Sequence, residues 1–204
     1  MFEGPVLGVV PGLARTGLTV LEVLDRKPVI TWSDTVFTPA GTPEAGRLRT
    51  IAAALRTAIQ THRPVAVAVE RVMFGVNKGS ALSVARATGV VMLVAAEAGL
   101  EVEEYVPLEV KSAVTGQGSA DKRQVHTALI RVHGLADVPS QPDAADAVAV
   151  ALCHLTQARL RLVATRAGIR GSRSSRARWS RRPPGVWSSR WEGPATTYWC
   201  RPRC

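Results

Sequence analysis

Three acidic residues stand where carboxylates could do chemistry. Glu70 ends "RPVAVAVE", the most apolar strand-like run of the chain, and a carboxylate at the end of a central strand faces the crevice where α/β sheets place their sites. Asp143 and Asp146 lie three residues apart in "PDAADAVAVAL", a spacing that puts both on one helix face. Mg²⁺ takes oxygen ligands, and two such ions can clamp the attacking and leaving oxygens of a phosphoryl displacement. The three acids therefore predict a site for metal-assisted phosphoryl chemistry.

Each of these acids also has an ordinary structural explanation. Glu70 could be a solvated strand end. Asp143 could cap the helix, and both aspartates would complement the helix dipole. A site for divalent cations would want a further carboxylate from a neighbouring strand, and the end of "VLGVV" is the natural place for it. Val10 stands there instead, and by itself it is good core packing.

The elements that would position these acids predict an α/β fold with a mixed sheet. Three strands within residues 6–38 form an antiparallel meander, because runs rich in β-branched and aromatic residues alternate with turn signals. Two further strands, at 63–70 and 100–107, alternate with helices, as in other α/β sheets. The sequence predicts helices at 42–62, Lys78–Gly99, 108–116, Asp121–His133 and 140–164, the last with Pro142 near its start.

The net charge of +10 is concentrated at the carboxyl end of the 204 residues. From Arg166 onward there are ten arginines and one acid, Glu192, so this segment carries +9 and the remainder +1. We expect a globular domain over 1–164 and a disordered Arg- and Trp-rich tail over 165–204. The tail could bind nucleic acid through these residues. An unselected extension is the simpler interpretation, because nothing in the tail is patterned.

Membrane and secreted proteins are not expected. No apolar run is long enough to span a bilayer, and the first residues, "MFEGPVLG", lack the layout of a secretory signal. We therefore expect a cytoplasmic protein without a membrane partner. The three cysteines, Cys153, Cys200 and Cys204, form no CxxC pair, and their odd number argues against a disulfide framework.

Four motifs within residues 6–154, in this order, resemble the RuvC-type Holliday-junction resolvases, or crossover junction endodeoxyribonucleases. They are "GVVPGLARTG", "AVAVERVMF", "VKSAVTGQGSADKRQV" and "DAADAVAVALCH". The resemblance implies an RNase H-like fold, with a five-stranded mixed sheet flanked by helices, and a homodimer. It also implies a Mg²⁺-dependent endonuclease, with two ions per active site, that nicks two opposed strands of a four-way DNA junction in homologous recombination and DNA repair. The branch-migration proteins RuvA and RuvB are the further partners that it implies.

The resemblance also assigns roles to individual residues. Glu70, Asp143 and Asp146 match the family's metal-binding carboxylates. Lys111 and Lys122 match basic residues near the cut strand, where a lysine would hold a phosphate or stabilise developing charge, although lysines usually lie on solvated helix faces. The stretch "MFGVNKGSAL" matches the loop that reaches into the junction, so the expected DNA-binding residues are Met73, Phe74, Asn77, Lys78, Lys111, Lys122 and Arg123. Met73 or Phe74 could wedge against a base, or both could pack inward.

Val10 departs from the family pattern. The first motif of the family reads G-[IV]-D-P-G, and Val10 occupies the position of its catalytic Asp. An isopropyl group cannot ligate Mg²⁺, and loss of one ligand from a two-metal site removes on the order of 4–7 kcal/mol of transition-state stabilisation. The expected rate is lower by roughly 10³- to 10⁵-fold. An engineered inactive variant, a natural decayed copy and a sequence error would each account for Val10.

Three functions are therefore compared. The first is a junction-resolving endonuclease weakened at Val10, and the second is a dimer that binds four-way junctions without cutting them. The third is another RNase H-like protein that acts on a different nucleic acid. A dimer would bury an apolar stripe on the helix Lys78–Gly99, unless this stripe packs on the sheet; its residues are Leu82, Val84, Ala85, Val90, Met92 and Leu93.

Overall fold

The computed structural model describes residues 4–71 and 78–166, and the elements below lie within them. The expected DNA-binding residues Met73, Phe74 and Asn77 lie outside these ranges, as does the tail from residue 167 onward. The strands are β1 (Val6–Val10), β2 (Arg15–Leu24), β3 (Lys27–Phe37), β4 (Ala66–Glu70) and β5 (Glu101–Tyr105). The helices are α1 (Glu44–His62), α2 (Lys78–Glu97), α3 (Pro107–Thr115), α4 (Lys122–Arg131) and α5 (Pro142–Arg166).

The strands form one mixed sheet in the order β3-β2-β1-β4-β5. β1, β2 and β3 pair antiparallel, whereas β4 runs parallel to β1 and to β5. Asp25 and Arg26 join β2 to β3 with φ values of 49° and 67°, the left-handed conformation that a two-residue hairpin loop requires. The parallel strands need longer crossovers, which helices provide. The predicted five-stranded mixed sheet with flanking helices and an antiparallel meander is confirmed.

The sheet separates two hydrophobic cores. Successive side chains of a strand point to opposite faces, so Leu7 and Val9 pack with the apolar faces of α1 and α2. Val6 and Val10 pack on the other face, with residues of α3, α4 and α5. Because β1 is covered on both sides, its sequence is continuously apolar rather than alternating. Among the described residues, no helix is both long and apolar enough to cross a membrane.

The backbone of α5 packs directly against the backbone of β1 and β2. A Cβ atom at Gly17 would lie 1.9 Å from the carbonyl oxygen of Asp143, and one at Gly8 would lie 2.3 Å from that of Ala147. Any side chain at these positions would push the helix away. The two contacts are one helical turn apart on α5, so they fix both its height above the sheet and its position along β1 and β2. Cys153 is buried on this helix, and burial raises the pKa of its thiol to about 12.

We predict that Gly17→Ala destabilises the protein by about 1–3 kcal/mol, the usual cost of inserting an atom into a closely packed contact. The lost stability would appear as a lower urea midpoint with an unchanged slope, because the unfolded surface stays the same. Gly41→Ala is the matched control, since a Cβ there has nothing within 4 Å. Equal midpoints for the two variants would show that α5 does not depend on this contact.

Candidate active site

Val10 and Glu70 end neighbouring parallel strands. The pairing of β1 with β4 runs to Val9 and Val69, so the next residue of each strand lies at the same edge of the sheet. Ala68 belongs to the core under α5, and the alternation of side chains places Glu70 on the same face as Val10, which packs against that core. Glu70 is half-buried. The two residues thus stand side by side at the carboxyl edge, beneath the start of α5.

Asp143 lies in the first turn of α5, above this edge, and Asp146 follows at the start of the second turn. Gly17, which touches the backbone of Asp143, is the cross-strand partner of Val10, so Asp143 is near Val10. The alternative explanation, that Asp143 is the N-cap of the helix, does not hold. The helix begins at Pro142, and the N–H of Ala145 donates to the carbonyl oxygen of Gln141 at 3.0 Å, which places Asp143 inside the first turn.

Lys122 forms an ion pair with Asp146. Its Nζ donates to Oδ2 of Asp146 at 2.7 Å, and this hydrogen bond raises the pKa of the lysine. Lys122 is the first residue of α4, where Asp121 accepts from the N–H of Gln124 and the Gln124 side chain accepts from the N–H of Asp121, both at 2.8 Å. This reciprocal cap fixes the helix start and presents the lysine to the carboxylates.

The pKa of Glu70 depends on its burial and on the charges around it. Burial raises the pKa of its carboxyl, and the negative charge of Asp146 raises it further. The positive charges of Lys122 and Lys111 act in the opposite direction but do not cancel the rise. The structure thus brings together the predicted residues Glu70, Asp143, Asp146, Lys111 and Lys122.

Arg15 is a site residue that the sequence analysis did not single out. Its Nε lies 3.4 Å from Oδ2 of Asp143, and 64% of its side chain is exposed. It is the first residue of β2 and lies within the quoted motif "GVVPGLARTG", so the signal was present in the sequence. Asp143 and Asp146 therefore each have a cationic partner, Arg15 on the β2 side and Lys122 on the α4 side.

Tyr105 and His154 form a buried contact next to the site that the sequence did not predict. Tyr105 is the cross-strand partner of Glu70 on β5. Its hydroxyl lies 3.0 Å from Nδ1 of His154 on α5, and both side chains are buried. The pair ties the strand beside Glu70 to the helix that carries the aspartates. His154 ends the quoted motif "DAADAVAVALCH", but nothing in the sequence identified its partner.

Two further predicted DNA-binding residues, Arg123 and Lys78, lie within the described ranges. Arg123 is exposed on α4 and lines, with Lys122 and Asp146, a groove of about 350 Å³ between α4 and the start of α5. Lys78 is the first residue of α2, but its side chain is outside the described set.

The residues present do not form a complete Mg²⁺ site. Carboxylates are the right kind of ligand, but within 4–71 and 78–166 no three Asp, Glu, His or Cys side chains are grouped closely enough to hold a metal ion. Val10 offers no oxygen at the centre of the edge. The positive charges beside Asp146 and Asp143 in this structure are those of Lys122 and Arg15, respectively.

A family model and the sequence relatives of the chain point to the same family. The family model described as crossover junction endodeoxyribonuclease RuvC matches residues 6–154. The crossover junction endodeoxyribonuclease RuvC of Mycolicibacterium vanbaalenii is 46% identical over 154 residues, which are 75% of this chain and 79% of that protein.

Solved structures show the same likeness. Thermus thermophilus RuvC in complex with Holliday junction substrate is 34% identical with a TM-score of 0.73, covering 78% of this chain and 97% of that one. The yeast mitochondrial Holliday junction resolvase Ydc2, 14% identical over 80% of this chain and 84% of its own, shares the fold with a TM-score of 0.58. The expected RNase H-like fold is confirmed.

We predict that Glu70→Gln stabilises the protein at neutral pH. A carboxyl whose pKa is raised in the folded state binds more protons there than in the unfolded chain, so its contribution to stability falls as pH rises above the ordinary value of 4.5. The melting temperature of Glu70→Gln should exceed that of the parent at pH 7, and the difference should shrink at acidic pH. The exposed Glu101 on β5 provides the control Glu101→Gln, because a solvated carboxylate has no burial cost to relieve. A parent that gains stability between pH 5 and pH 7 relative to Glu70→Gln would contradict this sign.

Proposed function

The chain belongs to the RuvC family, and on this premise we propose that it binds four-way DNA junctions at this site as a junction-directed endonuclease whose cleavage is strongly impaired by Val10. The observation that carries the proposal is the juxtaposition of Val10 and Glu70 at one sheet edge beneath the two aspartates of α5. The fold, the carboxylates and the flanking cations suit phosphodiester cleavage. One oxygen ligand at the centre is missing.

The side chains of the site support binding of a DNA strand. Lys122 and Lys111 border Glu70 on the side of α3 and α4, where an ammonium group would hold a phosphate beside the carboxylates. Arg15 borders Asp143 on the opposite side. These cations offset the acids, so a phosphate backbone can approach an edge that would otherwise repel it.

Impairment follows from the chemistry of the position. Mg²⁺, when bound, would activate the attacking water and stabilise the charge of the leaving oxygen. The residues that would hold it here are Glu70, Asp143 and Asp146. Because these side chains are not grouped closely enough in the structure to hold an ion, we propose that they bind two ions more weakly than a set with a fourth carboxylate. Lys111, Lys122 and Arg15 would position the DNA strand beside these carboxylates.

A non-cleaving junction-binding protein is the second candidate. It is favoured by the ion pairs Lys122–Asp146 and Arg15–Asp143, which neutralise two of the three acids without any metal ion. Val10, at the position where the family motif has Asp, also leaves the surface that would face the DNA with one negative charge fewer. The two candidates differ only in whether the bound junction is cut.

We also propose that the protein acts as a homodimer through α2, with RuvA and RuvB as further partners. α2 has two apolar faces: Ala87, Val91 and Val94 are buried on the core side. Of the predicted stripe, Val84, Ala85 and Val90 are partly buried, whereas Leu82, Met92 and Leu93 are 53%, 37% and 57% exposed. An exposed stripe on an ordered helix is what an isologous helix-to-helix contact between two copies requires.

Val10→Asp tests the proposed function. We expect cleavage of a labelled four-way junction in Mg²⁺ to rise by roughly 10³- to 10⁵-fold, because the variant restores an oxygen ligand between Glu70 and Asp143. Val10→Asn is the matched control of equal size: its amide offers a neutral oxygen in place of an anionic one and should restore much less cleavage. Plain duplex and RNA–DNA hybrid are the control substrates. Equal cleavage by the parent and Val10→Asp would show that another group supplies the ligand. Cutting of the hybrid in preference to the junction would favour an RNase H-like protein with a different substrate.

Leu93→Lys tests the dimer. A charge on the exposed apolar face of α2 should convert the protein to a monomer in sedimentation at micromolar concentration, because the lysine would have to be buried in the contact. Ile130→Lys is the control, since Ile130 is 43% exposed on α4, away from α2. If the parent is already monomeric, or if both variants sediment as dimers, the α2 contact is excluded.

A further inference from the structure

Phe37 is unusually exposed for an aromatic residue at the end of a paired strand. Within the described ranges there are three Phe, Tyr and Trp residues. Tyr105 is buried, and Trp32 is partly buried and stacks on His62 with ring centroids 4.8 Å apart. Phe37, the last residue of β3, is 65% exposed.

The ring lies beside the candidate site rather than at a remote surface. Phe37 is the cross-strand partner of Arg15, and directly opposed residues project from the same face with Cβ atoms about 5 Å apart. That face is the α5 side, because Gly17, two residues after Arg15, contacts Asp143. Phe37, Arg15, Val10 and Glu70 thus follow one another along one edge of the sheet, on four adjacent strands.

The backbone under this pair is held firmly. Thr38, only 2% exposed, donates its N–H to the carbonyl oxygen of Ala14 at 3.0 Å and its hydroxyl to that of Leu13. Nε of Arg47 donates to the Thr38 hydroxyl oxygen at 2.9 Å. Phe37 and Arg15 are therefore fixed by buried neighbours while their own side chains face solvent, an arrangement that reduces the entropy lost on binding.

We propose that Arg15 and Phe37 form a DNA-contact pair, in which Phe37 packs on a base or sugar of the strand that enters the site and Arg15 holds an adjacent phosphate. An exposed aromatic ring next to a cation matches the chemistry of a single nucleic-acid strand. The proposal rests on the proposed function, because the ligand is the strand that crosses the carboxylates. It extends the DNA surface to the β2–β3 side, opposite Lys111 and Lys122.

DNA is favoured over a protein partner by charge and by continuity. Arg15 adds a second flank of positive charge to an edge already bordered by the two lysines. A strand laid across Glu70 and Asp143 would meet cations on both sides of the acids. When DNA binds, the Arg15 guanidinium can move from Asp143 to a phosphate, because an ion pair this exposed is held weakly.

The test compares binding of a fluorescein-labelled four-way junction by the full chain and its variants, measured by fluorescence anisotropy without divalent ions. Phe37→Ala should raise Kd by roughly 5- to 100-fold, the usual effect of removing one stacked aromatic ring, and Phe37→Trp should restore binding. Arg15→Gln should weaken binding and lower the slope of log K against log salt by about one. The controls are Val132→Ala, at an apolar residue 72% exposed, and Arg56→Gln, at an arginine paired with Glu97; both should bind like the parent.

A photo-crosslinkable phenylalanine at position 37 gives a readout of contact itself. It should crosslink to the junction, and the same group at position 132 should not. Unchanged Kd values for Phe37→Ala and Arg15→Gln, in a parent that binds junctions, would overturn this proposal and leave the proposed function standing. A parent that binds junctions no better than duplex would instead overturn the proposed function. A change of sedimentation in Phe37→Ala with no change in Kd would assign Phe37 to a contact between protein copies and so overturn the DNA contact.

Discussion

The close contact between α5 and the two strands beneath it is the constraint on which the rest of the structure depends. Gly8 and Gly17 let the helix backbone touch the sheet, so the first turn of α5 lies directly over the ends of β1 and β2. If either contact were a few ångströms longer, Asp143 and Asp146 would rise away from Glu70. The site therefore owes its shape to two residues without side chains, neither of which does any chemistry.

Electrostatic balance is the second organising feature of the site. Glu70 and Asp146 repel each other, and burial of Glu70 adds to the cost of its charge. Lys122 and Lys111 offset part of this cost, while Lys122 and Arg15 each pair with one aspartate. The same cations that stabilise the folded edge are the groups available to a phosphate backbone.

Much of the fold could be predicted from the sequence, because its elements are marked by strong local signals. The helix predicted over Asp121–His133 is α4 with Asp121 as its cap, and the apolar run ending at Glu70 is β4. What could not be predicted depends on distant contacts. Arg15 and its partner Asp143 are separated by 128 positions in the sequence, and Tyr105 and His154 by 49. No rule of sequence spacing predicts contacts over such separations. The capping role considered for Asp143 failed for a local reason, since Pro142 is itself the first helical residue.

Val10 has a consequence for the energetics of folding as well as for the chemistry. An Asp at this place would put a further negative charge next to a glutamate that is already costly to ionise, on a strand whose other residues are apolar. Enzymes commonly tolerate such strain at their active sites, and residues that relieve it tend to raise stability while activity falls. With valine, the end of β1 is simply part of the core under α5. The edge of the sheet therefore folds without the charge cost that a fourth carboxylate beside Glu70 would add.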